Sequence, residues 1–161
     1  MDSLKARTAR LLTIFAVTVS CDQVSKQIMR TGLEPRTSYP MLGGVLRLWL
    51  IENPGAFLSL GAELSPAART VIFVGALGAG LLAAGAFLLR ASHVSRATFS
   101  AAALVLAGGA SNWIDRLTRD GRVTDFAVLA VGPFYTGVFN LADVAITFGV
   151  VVLLGSLARR G

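Results

Sequence analysis

Residues Thr136–Leu157 read TGVFNLADVAITFGVVVLLGSL, an apolar run broken by a single charge, Asp143. A helix needs about 20 mostly apolar residues to cross the hydrocarbon core of a bilayer. This run has that length, so the question is what a carboxylate does at membrane depth. A charge there is expensive and marks a functional position by default.

Working outward, three more runs have the same character. Thr70 to Leu89 and Ala97 to Ile114 carry no charge, and Leu11 to about Met29 is apolar until Asp22 and Lys26. The reading is an all-α membrane protein, a bundle of four transmembrane helices at about 11–29, 68–89, 97–115 and 136–157. One integral membrane domain then spans 1–161. The composition agrees: 54% of the 161 residues are hydrophobic and 15% are charged, against about 25% charged in ordinary globular domains. Mean hydropathy is +0.67. These values disfavour a disordered chain, a disulfide scaffold and most soluble enzymes. The single Cys21 rules out an internal disulfide, and a single His93 disfavours a His-based zinc site.

The net charge of +6 does not imply nucleic acid, because no basic stripe is interleaved with exposed aromatics. The bases instead flank apolar runs. Lys5, Arg7 and Arg10 precede the first helix, Arg90 and Arg96 bracket the short second loop, and Arg159 and Arg160 follow the last helix. Dense Lys and Arg in short segments stay in the cytosol. Both termini should therefore be cytoplasmic, with the longer loops 30–67 and 116–135 facing outward. Gly44–Asn53, GVLRLWLIEN, reads as a strand on the membrane surface that ends at the turn Asn53-Pro54-Gly55. Ser65-Pro66 reads as a helix start. Small residues at Gly75, Ala76, Ala79 and Gly80, and at Ala103, Ala107, Gly108 and Ser111, allow close helix approach. A second reading of the N-terminus is a lipoprotein signal ending Thr18-Val19-Ser20-Cys21, but cleavage there would discard a spanning helix.

Four polar clusters lie near the predicted outer face. Asp22 and Lys26 share a helix face, either as a structural ion pair or as part of a site. Glu52-Asn53-Pro54-Gly55 is a turn after a strand, in which Pro54 serves the turn and Asn53 either serves the turn or belongs to a site. Gly108-Gly109-Ala110-Ser111-Asn112-Trp113-Ile114-Asp115-Arg116 places Asn112 and Arg116 on one face with Asp115 close by, and interfacial snorkelling accounts for Arg116 alone. Asn140 and Asp143 face the same way, and Asp125 can fold back to meet Asp143. Two carboxylates in one low-dielectric site hold a proton between them. Such a pair activates water with one member and protonates a leaving group with the other. No Ser-His-Asp set, Cys-His pair or phosphate loop competes. A non-enzymatic alternative, a small transporter or adaptor with one buried Asp, would leave Asp125 and Asn112 idle.

These clusters, in this order, resemble the bacterial lipoprotein signal peptidase family (signal peptidase II). The resemblance rests on Asp22-Gln-x-x-Lys26, Asn53-x-Gly55-Ala56-Phe57, Gly108 through Asn112-x-x-Asp115-Arg116, Val123-x-Asp125-Phe126 and Phe139-Asn140-x-Ala142-Asp143. It implies a membrane aspartic endopeptidase that cuts signal peptides from prolipoproteins before a lipid-modified cysteine. The implied catalytic dyad is Asp125 and Asp143. The implied supporting residues are Asp22, Lys26, Asn53, Gly55, Gly108, Asn112, Asp115, Arg116 and Asn140. The resemblance further implies a small extracytoplasmic β-sheet cradle, no metal or cofactor, and a place in the bacterial inner membrane. The expected partners are prolipoproteins and membrane lipids, with the chain working as a monomer. Ser111, Thr124 and the lead-in Gly132–Gly137 depart from the family pattern. Asp143 is expected about seven residues into the last helix, and the loop 116–135 could act as a lid, with the strand near Trp49 as a platform.

Overall fold

The computed structural model describes residues 3–55, 61 and 63–158. Four long helices pack on one another and carry a small antiparallel sheet. Helix α1 spans Leu4–Gly32. Strands β1 (Ser38–Met41) and β2 (Leu46–Asn53) follow. Helix α2 spans Pro66–Arg90 and α3 spans Arg96–Thr118. Strands β3 (Val123–Val131) and β4 (Phe134–Tyr135) precede α4, Leu141–Ala158. Arg159, Arg160, Ala56 and Phe57, used in the reading above, lie outside the described residues.

Helices α2, α3 and α4 are long and apolar enough to cross a membrane. Helix α1 has the length, but Lys5, Arg7, Arg10, Asp22, Lys26 and Arg30 divide its apolar surface. Three helix starts are capped by serine hydroxyls, which satisfy amides that have no partner inside the helix. Ser3 accepts from Ala6 N at 3.2 Å, Ser65 from Ala68 N at 3.3 Å and Ser95 from Thr98 N at 3.1 Å. The expected Ser65-Pro66 start is in place. Large apolar side chains face outward along the bundle, among them Leu12, Val17, Leu82, Phe87, Phe148 and Leu154.

The sheet order is β1-β2-β3-β4, all antiparallel. The register pairs Asn53 with Val123 and Ile51 with Asp125. Asn53 and Asp125 are therefore diagonal neighbours on one sheet face, within side-chain reach. The expected strand near 44–53 is β2.

Two expectations need correction. Residues 116–135 do not form a lid. The centre of this stretch is β3, an inner strand whose residues Val123 to Val128 are buried. Its β-branched residues Val123, Thr124 and Val128 suit a pleated, enclosed strand. The last helix begins at Leu141, not near 136. Phe139 pairs with Ala127 through backbone bonds of 2.8 and 2.9 Å, which hold 136–139 extended. Asp143 thus sits in the first helical turn, not two turns in.

Candidate active site

The start of α4 is fixed by a reciprocal cap. The Asn140 Oδ1 accepts from Asp143 N at 3.0 Å, and Asp143 Oδ2 accepts from Asn140 N at 3.1 Å. This capping-box arrangement satisfies two orphan amides at once. The Ala142 amide donates to Asp22 Oδ1 of α1 at 2.9 Å. Each of these acceptors is an Asp or Asn, so the sequence that starts the helix also places polar groups at its tip. The partial positive charge there favours a carboxylate.

Three asparagines aim at two carboxylates. Asn53 Oδ1 accepts from Gly55 N at 2.9 Å, which leaves its Nδ2 to donate to Asp125 Oδ2 at 3.0 Å. Asn140 Oδ1 is held by the cap, so its Nδ2 donates to Asp125 Oδ1 at 2.7 Å. Asn112 Oδ1 accepts from Lys26 Nζ at 2.8 Å and Asn140 Nδ2 at 3.1 Å, and its Nδ2 donates to Asp143 Oδ1 at 2.9 Å. In each case an N–H on the oxygen fixes which end of the amide faces the acid. Asp125 is 3% exposed. Burial pushes its carboxyl up to about 7, outweighing the lowering by Asn53 and Asn140, and Asp143 adds to the rise.

Behind these groups lies a buried ionic layer. Lys26 Nζ meets Asp22 Oδ2 at 2.7 Å and Asp115 Oδ2 at 2.9 Å, and all three side chains are fully buried. With Asn112, its three donors are all engaged. Asp115 also accepts from Thr124 N at 3.1 Å and Gln23 Nε2 at 3.0 Å, and Asp22 from Ser111 Oγ at 2.7 Å. The layer joins α1, α3, α4 and β3. Arg116 donates to Gly55 O at 2.7 Å and Asn112 O at 3.2 Å, with its guanidinium 5.3 Å from the Phe73 ring. It ties the Asn53–Gly55 turn to α3.

Asp125, Asp143, Asn53, Asn112 and Arg116 line one cavity of about 480 Å³. Its far wall is apolar: Val123, Val138, Phe139, Val144, Phe148 and Val151, with Thr136, Gly137 and Thr147. A few polar groups at one end of an apolar cleft is the usual form of a ligand site. Asn140 is fully buried between the two acids, and Asp22, Lys26 and Asp115 sit one layer deeper. Gly55 contributes backbone. Gly108 contributes absence, since a Cβ there would lie 2.5 Å from Ala142 O. The apolar wall on α4 was missed, although Thr147 and Val151 follow Asp143 at helical spacing. Gln23 lies within the Asp22–Lys26 motif, and only the fold shows its partners, Ser111 and Asp115. Among the described residues no group of His, Cys, Asp and Glu has the form of a metal site.

The model of the family described as signal peptidase (SPase) II matches residues 14–159. This chain belongs to the signal peptidase II family. It is 38% identical over 149 residues to a lipoprotein signal peptidase of Moorella thermoacetica, covering 91% of each chain. It is 40% identical over 139 residues to one of Synechococcus sp., covering 86% of this chain and 87% of that one. The fold matches a solved bacterial membrane enzyme with a TM-score of 0.80 at 27% identity, over 92% of this chain and 87% of the other. As a signal peptidase II relative it is a membrane peptidase, and its three apolar helices fit that setting.

Proposed function

We propose that this protein is an aspartic endopeptidase that removes signal peptides from prolipoproteins, on the N-terminal side of a diacylglyceryl-modified cysteine. The observation that carries the reading is that Asp125 and Asp143 line one cavity and are joined through Asn140. The pair titrates as a unit. Its ionised member takes a proton from water, and the water oxygen attacks the scissile carbonyl. Its protonated member delivers a proton to the leaving amine. Asn53, Asn112 and Asn140 hold the carboxylates, and Arg116 and Gly55 hold the turn beside them. Asp22, Lys26, Asp115 and Gly108 fix the elements that carry those groups. The apolar wall along α4 accepts the aliphatic part of the substrate.

In this reading α1 is a fourth spanning helix. Both termini are cytoplasmic, and the carboxylates lie near the outer face of a bacterial inner membrane. In this reading the chain works as a monomer and without cofactor. The test is cleavage of a lipid-modified prolipoprotein by the reconstituted full chain, with the product mass measured. Asp125→Asn and Asp143→Asn should each abolish cleavage while the protein still inserts. Normal turnover by either variant rules out the dyad. Equal cutting of substrate without the lipid rules out the substrate assignment.

A further inference from the structure

Arg7 is 5% exposed. It lies about 22 Å along α1 from Asp22, at 1.5 Å per residue, at the end of the bundle away from the candidate active site. Its guanidinium donates to Leu88 O and lies 5.2 Å from the Phe99 ring. Among the described residues no carboxylate pairs with it. None occurs on α1 before Asp22, on α2, on α3 before Asp115 or on α4 after Asp143. A buried charge is normally paired, because desolvation without a counter-charge is costly. Arg7 instead opens onto a cavity of about 530 Å³ that is also lined by Arg90, Ser92 and the apolar Leu4, Ala86 and Leu89.

We propose that this cavity binds a phosphate-bearing anion, the headgroup of an anionic phospholipid. Two guanidiniums and a hydroxyl supply donors suited to phosphate oxygens. The first turn of α1 adds the partial positive charge of a helix start. Leu4, Ala86 and Leu89 meet the glycerol and upper acyl region, and exposed Phe87 and Leu82 continue an apolar track along α2. Basic pockets between membrane helices hold lipid headgroups in this way. Phe99 and Leu88 fix the Arg7 guanidinium before the anion arrives, which lowers the ordering cost of binding.

The test is titration of the purified full chain with phosphatidylglycerol, counting bound lipid by native mass spectrometry. One lipid should remain bound when others have been stripped. Arg90→Gln and Arg7→Gln should each weaken its retention about tenfold, the effect of one charge-assisted hydrogen bond. Lys5→Gln, outside the cavity, should leave it unchanged. Arg90 is exposed, so its variant folds even if Arg7→Gln does not. Unchanged retention in Arg90→Gln, or an equal loss in Lys5→Gln, overturns the site. Inorganic phosphate that displaces the lipid at equal affinity overturns the lipid assignment and makes free phosphate the ligand.

Discussion

At the residue scale the site is a set of oriented amides around acids. Asn140 touches both carboxylates and the start of α4, so shortening it removes a donor and loosens a helix tip. Asn140→Ala and Asn112→Ala should lower turnover about a hundredfold through misplacement of the acids, less than either Asp→Asn change. Full loss of folded protein would instead make these asparagines structural. Asp125 sets a pH dependence. In the fold it holds its proton to about 7, whereas an unfolded Asp releases it near about 4. The stability linked to it is full below about pH 4 and is lost as pH rises towards about 7. Thermal unfolding in detergent should therefore occur at lower temperature as pH rises through that window. Asp125→Asn should flatten the slope, and a parallel slope in the variant would refute the assignment. Under the proposed dyad, cleavage should also decline above about pH 7, as Asp125 gives up its proton.

At the element scale, α3 and α4 meet at glycines. A Cβ on Gly108 would lie 2.5 Å from Ala142 O, and one on Gly149 would lie 2.6 Å from Ala101 O. Backbone cannot move aside cheaply, so either alanine forces the helices apart, at about 1–3 kcal/mol. Gly108→Ala also shifts the turn that carries Asp143, so it should reduce turnover more than Gly149→Ala at equal thermal stability. Gly80 faces open space, and Gly80→Ala should leave stability unchanged or slightly raised. Melting temperatures and turnover of the three variants check this. Helix α2 has its own irregularity. Residues Thr70–Ala76 wind as a π-helix, and Trp113 donates to Val74 O at 2.8 Å. Such local unwinding frees a carbonyl for a side-chain partner, and here it anchors α2 beside the site.

At the scale of the whole molecule, the bundle buries a polar layer beside the candidate site and an apolar cluster of Leu88, Phe99, Ala103 and Leu106 further along, and large apolar side chains cover its outside. The only buried residues of α1 are Arg7, Asp22 and Lys26. Lys26→Met would leave Asp22 and Asp115 buried without a counter-charge, at about 3–5 kcal/mol. It should abolish folding or sharply lower the melting temperature, not merely slow cleavage. A well-folded but inactive Lys26→Met would show that the layer serves chemistry alone. Topology is checked by cysteine labelling from each side in a Cys21→Ala background. Ser92→Cys should react from the cytoplasm and Gly43→Cys from outside.

Hydropathy alone determined that the chain is a membrane protein, because a long uncharged run has few other fates. Helical spacing put Asn112 beside Arg116, since residues four apart share a face, and the three-residue spacing of Asn140 and Asp143 is that of a capping box. The order of the motifs was enough to indicate the family. Only the tertiary structure decided that Asp125 rides an inner strand, that α4 starts at Leu141, and that Gln23 and Ser111 brace the ionic layer. Those facts depend on β2–β3 register, the Phe139–Ala127 pairing and contacts between segments some ninety residues apart. Periodicity within one segment carries no information about which other segment it will meet.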